Sequence, residues 1–165
     1  MAPTTYHPLK VWRLCRRKHA AFDGEGGRLA GGRWNRRGTA VVYTSATLSL
    51  AVLEYFVNLP VAAAPPDLVA ISAEVPGEIP ISSLLPDDLP RGWRKYPAPE
   101  ALADLGTRWV GEAGTAILAV PSAVVPQEKN YLLNPAHPRF REILVGKPES
   151  LSLDSRMWKG LGGKL

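Results

Sequence analysis

Apolar residues along this chain fall into short runs broken by glycine or proline, without the long stripes at helical spacing that a bundle needs. KVWRLCR, residues 10–16, alternates as a strand does, with Val11 and Arg13 on one face and Trp12 and Leu14 on the other. TAVVYT, 39–44, predicts a second short strand. Behind it, Ser45 or Thr47 can cap a helix over about 48–58, LSLAVLEYFVN, which Pro60 ends. DLVAISAEVP, 67–76, predicts another strand, and AGTAILAVP one that ends at Pro121; further short strands are expected at 123–126, 131–133 and 141–145. EALADLGTRWV, 100–110, predicts a helix with Ala101, Leu105 and Trp109 on one face. Residues 77–99 are broken by prolines, with one helical turn at SLLPDDLP. DGEGGRLAGG, 23–32, carries too much glycine for a regular element and reads either as a mobile loop or as backbone suited to approach a ligand closely.

These elements describe a compact α+β domain with more short strands than helices and no regular βαβ alternation. At 165 residues and 45% hydrophobic content the chain reads as one domain with a proper core, and 16 prolines with 15 glycines favour short elements joined by ordered turns. The single domain spans 1–165, with a core of about 10–145 and a C-terminal tail of 146–165. AAAPP at 62–66 is linker-like, but no interior linker is long enough to divide the chain. The one cysteine, Cys15, excludes an intramolecular disulfide and any thiolate cluster. The N-terminus lacks an apolar signal core, and the longest weakly polar stretch, 38–53, carries Thr or Ser at five positions. A soluble, cytoplasmic protein is the expectation.

Charge changes this picture at one end. Residues 1–37 carry nine Lys or Arg against Asp23 and Glu25, a net +7, while the remaining 128 residues sum to −2. A basic end of this kind attracts nucleic acid, a phosphate-bearing small molecule or an acidic protein, and composition does not choose among them.

Individual residues narrow the choice. Apart from tyrosines, Glu54 is the sole ionisable residue between Arg37 and Asp67, and it stands among Leu50, Ala51, Val52, Leu53, Tyr55, Phe56 and Val57. Such a helix is apolar nearly all round and expected to be packed on most sides, where a carboxylate is costly unless paired or solvated in a cleft. Glu54 either shares a narrow polar face with Ser49 or Asn58, or lies at the floor of a pocket, orienting a hydroxyl or stabilising a developing cation. In GGRWNRRGTAVVYTS, 31–45, Arg33 follows two glycines, and a guanidinium is a natural fork for pyrophosphate. A merely solvated arginine fits Arg36 or Arg37 better, since these flank a turn. Arg13 could reach the same cleft. Tyr43 could stack a planar ring, donate its hydroxyl, or serve as a core aromatic. Ser122, just past a strand end, occupies a loop position suited to a phosphate or ribose hydroxyl, and His137 is held between prolines in NPAHPRF.

Several chemistries drop out. GxxxxGK[ST] and GxGxxG after a strand are absent, so the glycines build no nucleotide-binding turn of those types. Three widely spaced histidines without HExxH give no metal-binding pattern, and no metal is expected. GxSxG is absent too.

The succession VWRL (11–14), GGRWNRRGTAVVYTS (31–45), LAVLEYF (50–56), VPS (120–122) and NYLLNPAHPRF (130–140) resembles the RES-domain family, the toxin half of RES–Xre toxin–antitoxin pairs. The match runs in order from about residue 10 to 145. The resemblance implies an NAD-consuming fold similar to the ADP-ribosyltransferase core of diphtheria toxin. It carries over Arg33, Tyr43 and Glu54 as a pocket triad, Ser122 as a fourth member and Arg13 as a phosphate contact. NAD is then a substrate, cleaved at the nicotinamide–ribose bond. The ADP-ribose passes to a protein such as phosphoribosyl pyrophosphate synthetase, slightly favoured because the chain shows no extra lid segment, or to water or inorganic phosphate. The implied partner is an antitoxin with an Xre-like helix-turn-helix domain that covers the active site, and the toxin itself is not the DNA-binding half. Nicotinamide leaves as a neutral group from a cationic pyridinium, so one carboxylate suffices where ordinary glycoside hydrolysis uses two. Two other classes compete with the enzyme: a basic nucleic-acid-binding module, which lacks any matching signature, and a catalytically silent scaffold.

Overall fold

The structure, a computed structural model, describes residues 7–59 and 64–159. Eight strands, β1 (Leu9–Arg16), β2 (Val42–Ser45), β3 (Leu68–Val75), β4 (Ile81–Ser83), β5 (Ile117–Pro121), β6 (Lys129–Leu133), β7 (Leu144–Val145) and β8 (Glu149–Ser150), form one sheet. Its order is β4-β5-β6-β2-β1-β3-β7, with β8 also on the β3 edge, and among the described strands only β4 and β5 run parallel. Among the described residues three α-helices accompany it: α1 (Glu25–Ala30), α2 (Leu48–Phe56) and α3 (Glu100–Glu112). The α+β expectation holds. No strand forms at 123–126, where the chain turns, and Pro60, the expected stop of α2, lies outside the described residues.

One seam in this sheet positions everything that follows. β1 pairs with β3 along its whole length, from Leu9 opposite Val75 to Arg16 opposite Leu68. With β2 it shares one register couple, Trp12 opposite Ser45. The two halves of the sheet are therefore joined through a narrow contact.

Period-2 alternation sorts the core. Val11, Val42, Ile117 and Leu133 point to one face, closed by Ile79, Ile143 and the partly buried Phe22 and Phe140. On the other face, Leu118, Val120 and Leu132 pack with Trp34 and with Leu102 and Trp109 of α3, while Leu14 and Leu68 pack with Ala51 of α2. Tyr43 belongs to the α3 side of that face and Trp12 to the α2 side.

Three expectations require correction. Residues 25–30 are helical despite their glycines. Asp23 Oδ1 accepts from Glu25 N at 3.0 Å, Arg28 pairs with Glu25 one turn along, and a Cβ at Gly27 would stand 2.8 Å from Val41 O, so that glycine permits close packing. α3 buries Leu102, Gly106 and Trp109, a face turned by one position from the expected Ala101–Leu105–Trp109 stripe. The cause is Gly106, where a Cβ would run into Trp34 O; the helix approaches the sheet through its missing side chain. Finally, α2 is not packed on most sides: Leu53 and Val57 are exposed. Part of its cover comes from the C-terminal segment, whose Leu151 and Leu153 join Trp12, Val52 and Tyr55, and whose Trp158 meets Phe56 edge-on at 5.5 Å between centroids.

Candidate functional site

At the narrow β1–β2 seam a cleft of about 260 Å3 opens, lined by Trp12, Arg13 and Leu14 from β1, Tyr43, Thr44 and Ser45 from β2, Ala51, Glu54 and Tyr55 from α2, Asn58, and Asn130 from β6. α2 starts directly after β2 because the Thr47 side chain caps it, accepting from Leu50 N at 3.1 Å. That fixed start turns Glu54, two helical turns later, toward β6 and the end of β5.

The Glu54 carboxylate is held by neutral donors. Ser122 Oγ donates to Oε1 at 2.7 Å and Asn130 Nδ2 donates to the same oxygen at 2.6 Å. Of the two readings of Glu54, the structure shows the carboxylate on a cleft. Ser122 is fully buried, and its hydroxyl also accepts from Val124 N and Val125 N at 3.1 and 3.0 Å. The loop position that suggested a phosphate or ribose contact is thus turned inward, and the hydroxyl meets Glu54.

Arg33 lies in a tight hairpin bridged between Gly32 and Asn35. Buried Asn35 locks this loop through Nδ2, which donates to Gly27 O at 2.8 Å and Thr39 O at 2.9 Å. Its Oδ1 accepts from the Tyr43 hydroxyl at 2.6 Å, and that hydroxyl accepts from Trp34 N at 3.0 Å. Tyr43 therefore spends its polar atom on the loop and leaves its ring to the cleft. Burial pushes its phenol well above the ordinary tyrosine value. Arg33 donates through one terminal nitrogen to Trp93 O at 2.6 Å and Lys95 O at 3.2 Å. Burial draws its guanidinium below its usual value, and the nearby Glu54 charge works the other way. Arg13 reaches the cleft wall while donating to Ala21 O at 2.8 Å and His19 O at 3.1 Å. Glu54, Tyr43 and Arg13 line one cleft, Ser122 stands behind it, and Arg33 is tied to the 93–95 backbone beside it.

The residues that sequence reasoning missed are Asn130, Ser45 as a partner of Asn130, and the segment around Trp93. A short polar residue inside the NYLL strand was the available signal for Asn130. The 93–95 segment is fixed to the site by hydrogen bonds on both sides. Residues 93–95 accept from Arg33, and Arg94 donates to Ala123 O at 3.1 Å, next to Ser122, so this stretch bridges two sides of the site. Arg36 is not simply solvated either: it binds Asp104 at 2.7 Å and Glu100 at 3.2 Å on α3. His137 caps a 3-10 turn, its Nδ1 accepting from Arg139 N.

Among the described residues no group of three or more His, Cys, Asp or Glu is placed to hold a metal ion, and no helix is long and apolar enough to cross a membrane.

The comparisons with known proteins agree with this geometry at the level of family and fold. The chain is 38% identical over 152 residues to the Prs ADP-ribosylating toxin of Sphingobium sp. strain YBL2, covering 88% of this chain and 94% of that one. It is 35% identical to the Toxin Res of Yersinia enterocolitica over 90% of this chain and 99% of the relative. The fold superposes with a TM-score of 0.69 and 14% identity on a chain of the M. tuberculosis MbcT–MbcA toxin–antitoxin complex, covering 96% of this chain and 91% of that chain. Residues 10–154 match the RES domain, and the chain belongs to the RES-domain family, with Res toxins as its relatives.

Proposed function

We propose that this protein is a toxin that consumes NAD, breaking the bond between nicotinamide and ribose and transferring ADP-ribose, with a fold related to the ADP-ribosyltransferase core of diphtheria toxin. The observation that carries the reading is the Glu54 carboxylate on the cleft, held by Ser122 and Asn130 and flanked by Tyr43 and Arg13. The similarity to a Prs ADP-ribosylating toxin over nearly all of both chains supports it.

In this mechanism the carbon–nitrogen bond breaks with its electron pair moving to the pyridinium nitrogen, so nicotinamide leaves neutral and unprotonated. Positive charge develops on the ribose, and the Glu54 carboxylate stabilises it. Tyr43 offers its ring to nicotinamide or the adjoining ribose. Arg13 and the unengaged nitrogens of Arg33 hold the pyrophosphate, and Ser122 keeps Glu54 in place. The acceptor then attacks the ribose carbon and releases its proton to solvent. A protein acceptor such as phosphoribosyl pyrophosphate synthetase is favoured by the relative's chemistry; water and inorganic phosphate are the alternatives. An antitoxin partner carrying an Xre-like helix-turn-helix domain is part of the proposal, supported by the fold shared with a chain of a toxin–antitoxin complex. The nucleic-acid reading loses ground because Arg16, Arg28 and Arg36 of the basic end each pair with an acid.

The test is incubation with labelled NAD, with and without phosphate and a cell lysate. Free ADP-ribose, its 1″-phosphate and labelled protein identify the acceptor. Glu54→Gln should fold normally, since the glutamine oxygen can accept from Ser122 and Asn130, yet lose roughly 100- to 1000-fold in turnover. Cleavage by E54Q at the parent rate overturns the reading.

A further inference from the structure

We infer that Asn130 is a positioning residue for the NAD-cleaving reaction, oriented by Ser45, and that this pair sets which oxygen of Glu54 faces the substrate. The inference rests on the proposed NAD chemistry at Glu54.

The direction of every bond in the network follows from donor and acceptor capacity alone. A carboxylate only accepts, so Asn130 presents its NH2 group to Glu54 Oε1, at 2.6 Å. Its carbonyl end then faces Ser45, whose hydroxyl has no choice but to donate, at 2.7 Å. On the other side, Ser122 Oγ already accepts from Val124 N and Val125 N, so its single hydrogen goes to Glu54 Oε1. Two forced donors converge on one oxygen, and Oε2 is left to the cleft. The carboxylate cannot rotate about its last torsion without breaking both bonds.

The backbone makes the chain of contacts rigid. Ser45 and Asn130 are register partners across β2 and β6, so their side chains stand side by side on one face. Ser45 is buried, also opposite Trp12 at the narrow seam, and Asn130 lines the cleft. Ser45 thus stands both at the joint between the halves of the sheet and beside the amide that aims the carboxylate. Without the Ser45 donor, the carbonyl end of the Asn130 amide loses the partner that fixes it, and the side chain is held by its bond to Glu54 alone.

The effect belongs to the transition state. Substrate binding uses the cleft walls, whereas the orientation of Oε2 matters most when charge has developed on the ribose. Asn130→Ala should lower kcat roughly 10- to 100-fold, the worth of one charge-assisted hydrogen bond. KM for NAD and affinity for a non-cleavable NAD analogue should stay within about twofold of the parent, since Arg13, Arg33 and Tyr43, the residues proposed to bind NAD, are unchanged. Ser45→Ala should give a smaller loss of the same kind, about three- to tenfold.

The decisive measurement is a double-mutant cycle read in nicotinamide release. If Asn130 acts through Glu54, Asn130→Ala adds nothing to the residual turnover of the Glu54→Gln protein. If Ser45 acts through Asn130, the S45A/N130A pair equals N130A alone. Additive losses in either cycle overturn the inference, as does an N130A protein with parent kcat, or one whose loss lies in analogue affinity. Should N130A fail to fold, the isosteric S45A protein decides: parent kcat in a folded S45A protein rejects the orienting role. Failure of the underlying reading is separate, because an active E54Q protein shows it before any Asn130 variant is made.

Discussion

Ser122→Ala removes a single hydroxyl that serves three partners, and the structure gives the size of the loss. The backbone N–H groups of Val124 and Val125 lose an acceptor at 3.1 and 3.0 Å, and Glu54 loses a donor at 2.7 Å. An unpaired buried donor costs about 1–3 kcal/mol, but Val124 and Val125 are half-buried and water can reach them, so the low end applies to each. Adding the bond to the carboxylate, which Asn130 partly replaces, the whole comes to about 2–4 kcal/mol. At roughly 2–4 °C per kcal/mol for a chain of this size, Tm should fall by about 4–16 °C. Turnover should fall about tenfold, far less than in E54Q, because the charge and the Asn130 bond remain. The assay pairs a thermal melt with nicotinamide release, measured well below the lowered Tm. Two results would refute the reasoning. An S122A protein that melts and turns over like the parent would mean the hydroxyl bears no load. One that melts like the parent but binds an NAD analogue weakly would return Ser122 to the ligand-contacting role its loop position suggested.

Arg33→Ala should raise Kd for a non-cleavable NAD analogue by roughly 30- to 1000-fold and speed hydrogen exchange around Trp93 and Lys95, whose carbonyls lose their donor, with Arg33→Lys a poor rescue; unchanged affinity in a calorimetric titration would leave Arg33 only the task of holding that segment. Tyr43→Phe unpairs Trp34 N and Asn35 Oδ1 and should cost about 1–3 kcal/mol in urea unfolding. Because burial raises the Tyr43 pKa above the model-peptide value of 10.0, the native state keeps a proton that the unfolded chain releases. Its contribution is therefore full below about pH 10 and is lost as pH rises beyond it, so the alkaline decline should be shallower in Y43F. An antitoxin segment bearing a carboxylate at the Arg13–Arg33 wall should compete with NAD, abolish turnover, and protect residues 27–43 in hydrogen exchange; protection on a remote face with NAD still bound would reject this.

Much of the fold was legible because its strands are short and bounded by turn chemistry. β1, β2, β3, β5 and α2 stand where alternation, a Thr cap and proline breaks put them. What escaped was decided by contacts far along the chain. The glycines of 23–32 read as loop because propensity alone argues so, yet Gly27 is needed for α1 to close on residue 41. The α3 face was displaced by one position since a hydrophobic pattern cannot show that Gly106 is the point of closest approach. The exposed side of α2 was invisible for the same reason: nothing in LSLAVLEYF says that its partial cover is Leu151, Leu153 and Trp158.

The site divides in the same way, and the division bears on its chemistry. Glu54 announced itself by isolation among apolar neighbours, but the groups that hold its carboxylate are a serine and an asparagine that carry no charge. Six ion pairs occur among the described residues and none involves Glu54. Arg33, whose guanidinium feels the Glu54 charge, directs hydrogen bonds at two backbone carbonyls instead. A carboxylate paired with an arginine would meet a developing cation with its charge already spent, and would have to break that pair to act. Neutral donors fix the position of Glu54 while leaving its negative charge to the cleft. That arrangement suits a substrate whose reacting end is cationic and whose positive charge shifts to the ribose as nicotinamide departs, and it suits an anionic reacting centre poorly. Placing Arg13 on the cleft wall, Arg33 beside it and the unpaired carboxylate within it separates the two polarities that a dinucleotide with a pyridinium at one end would bring.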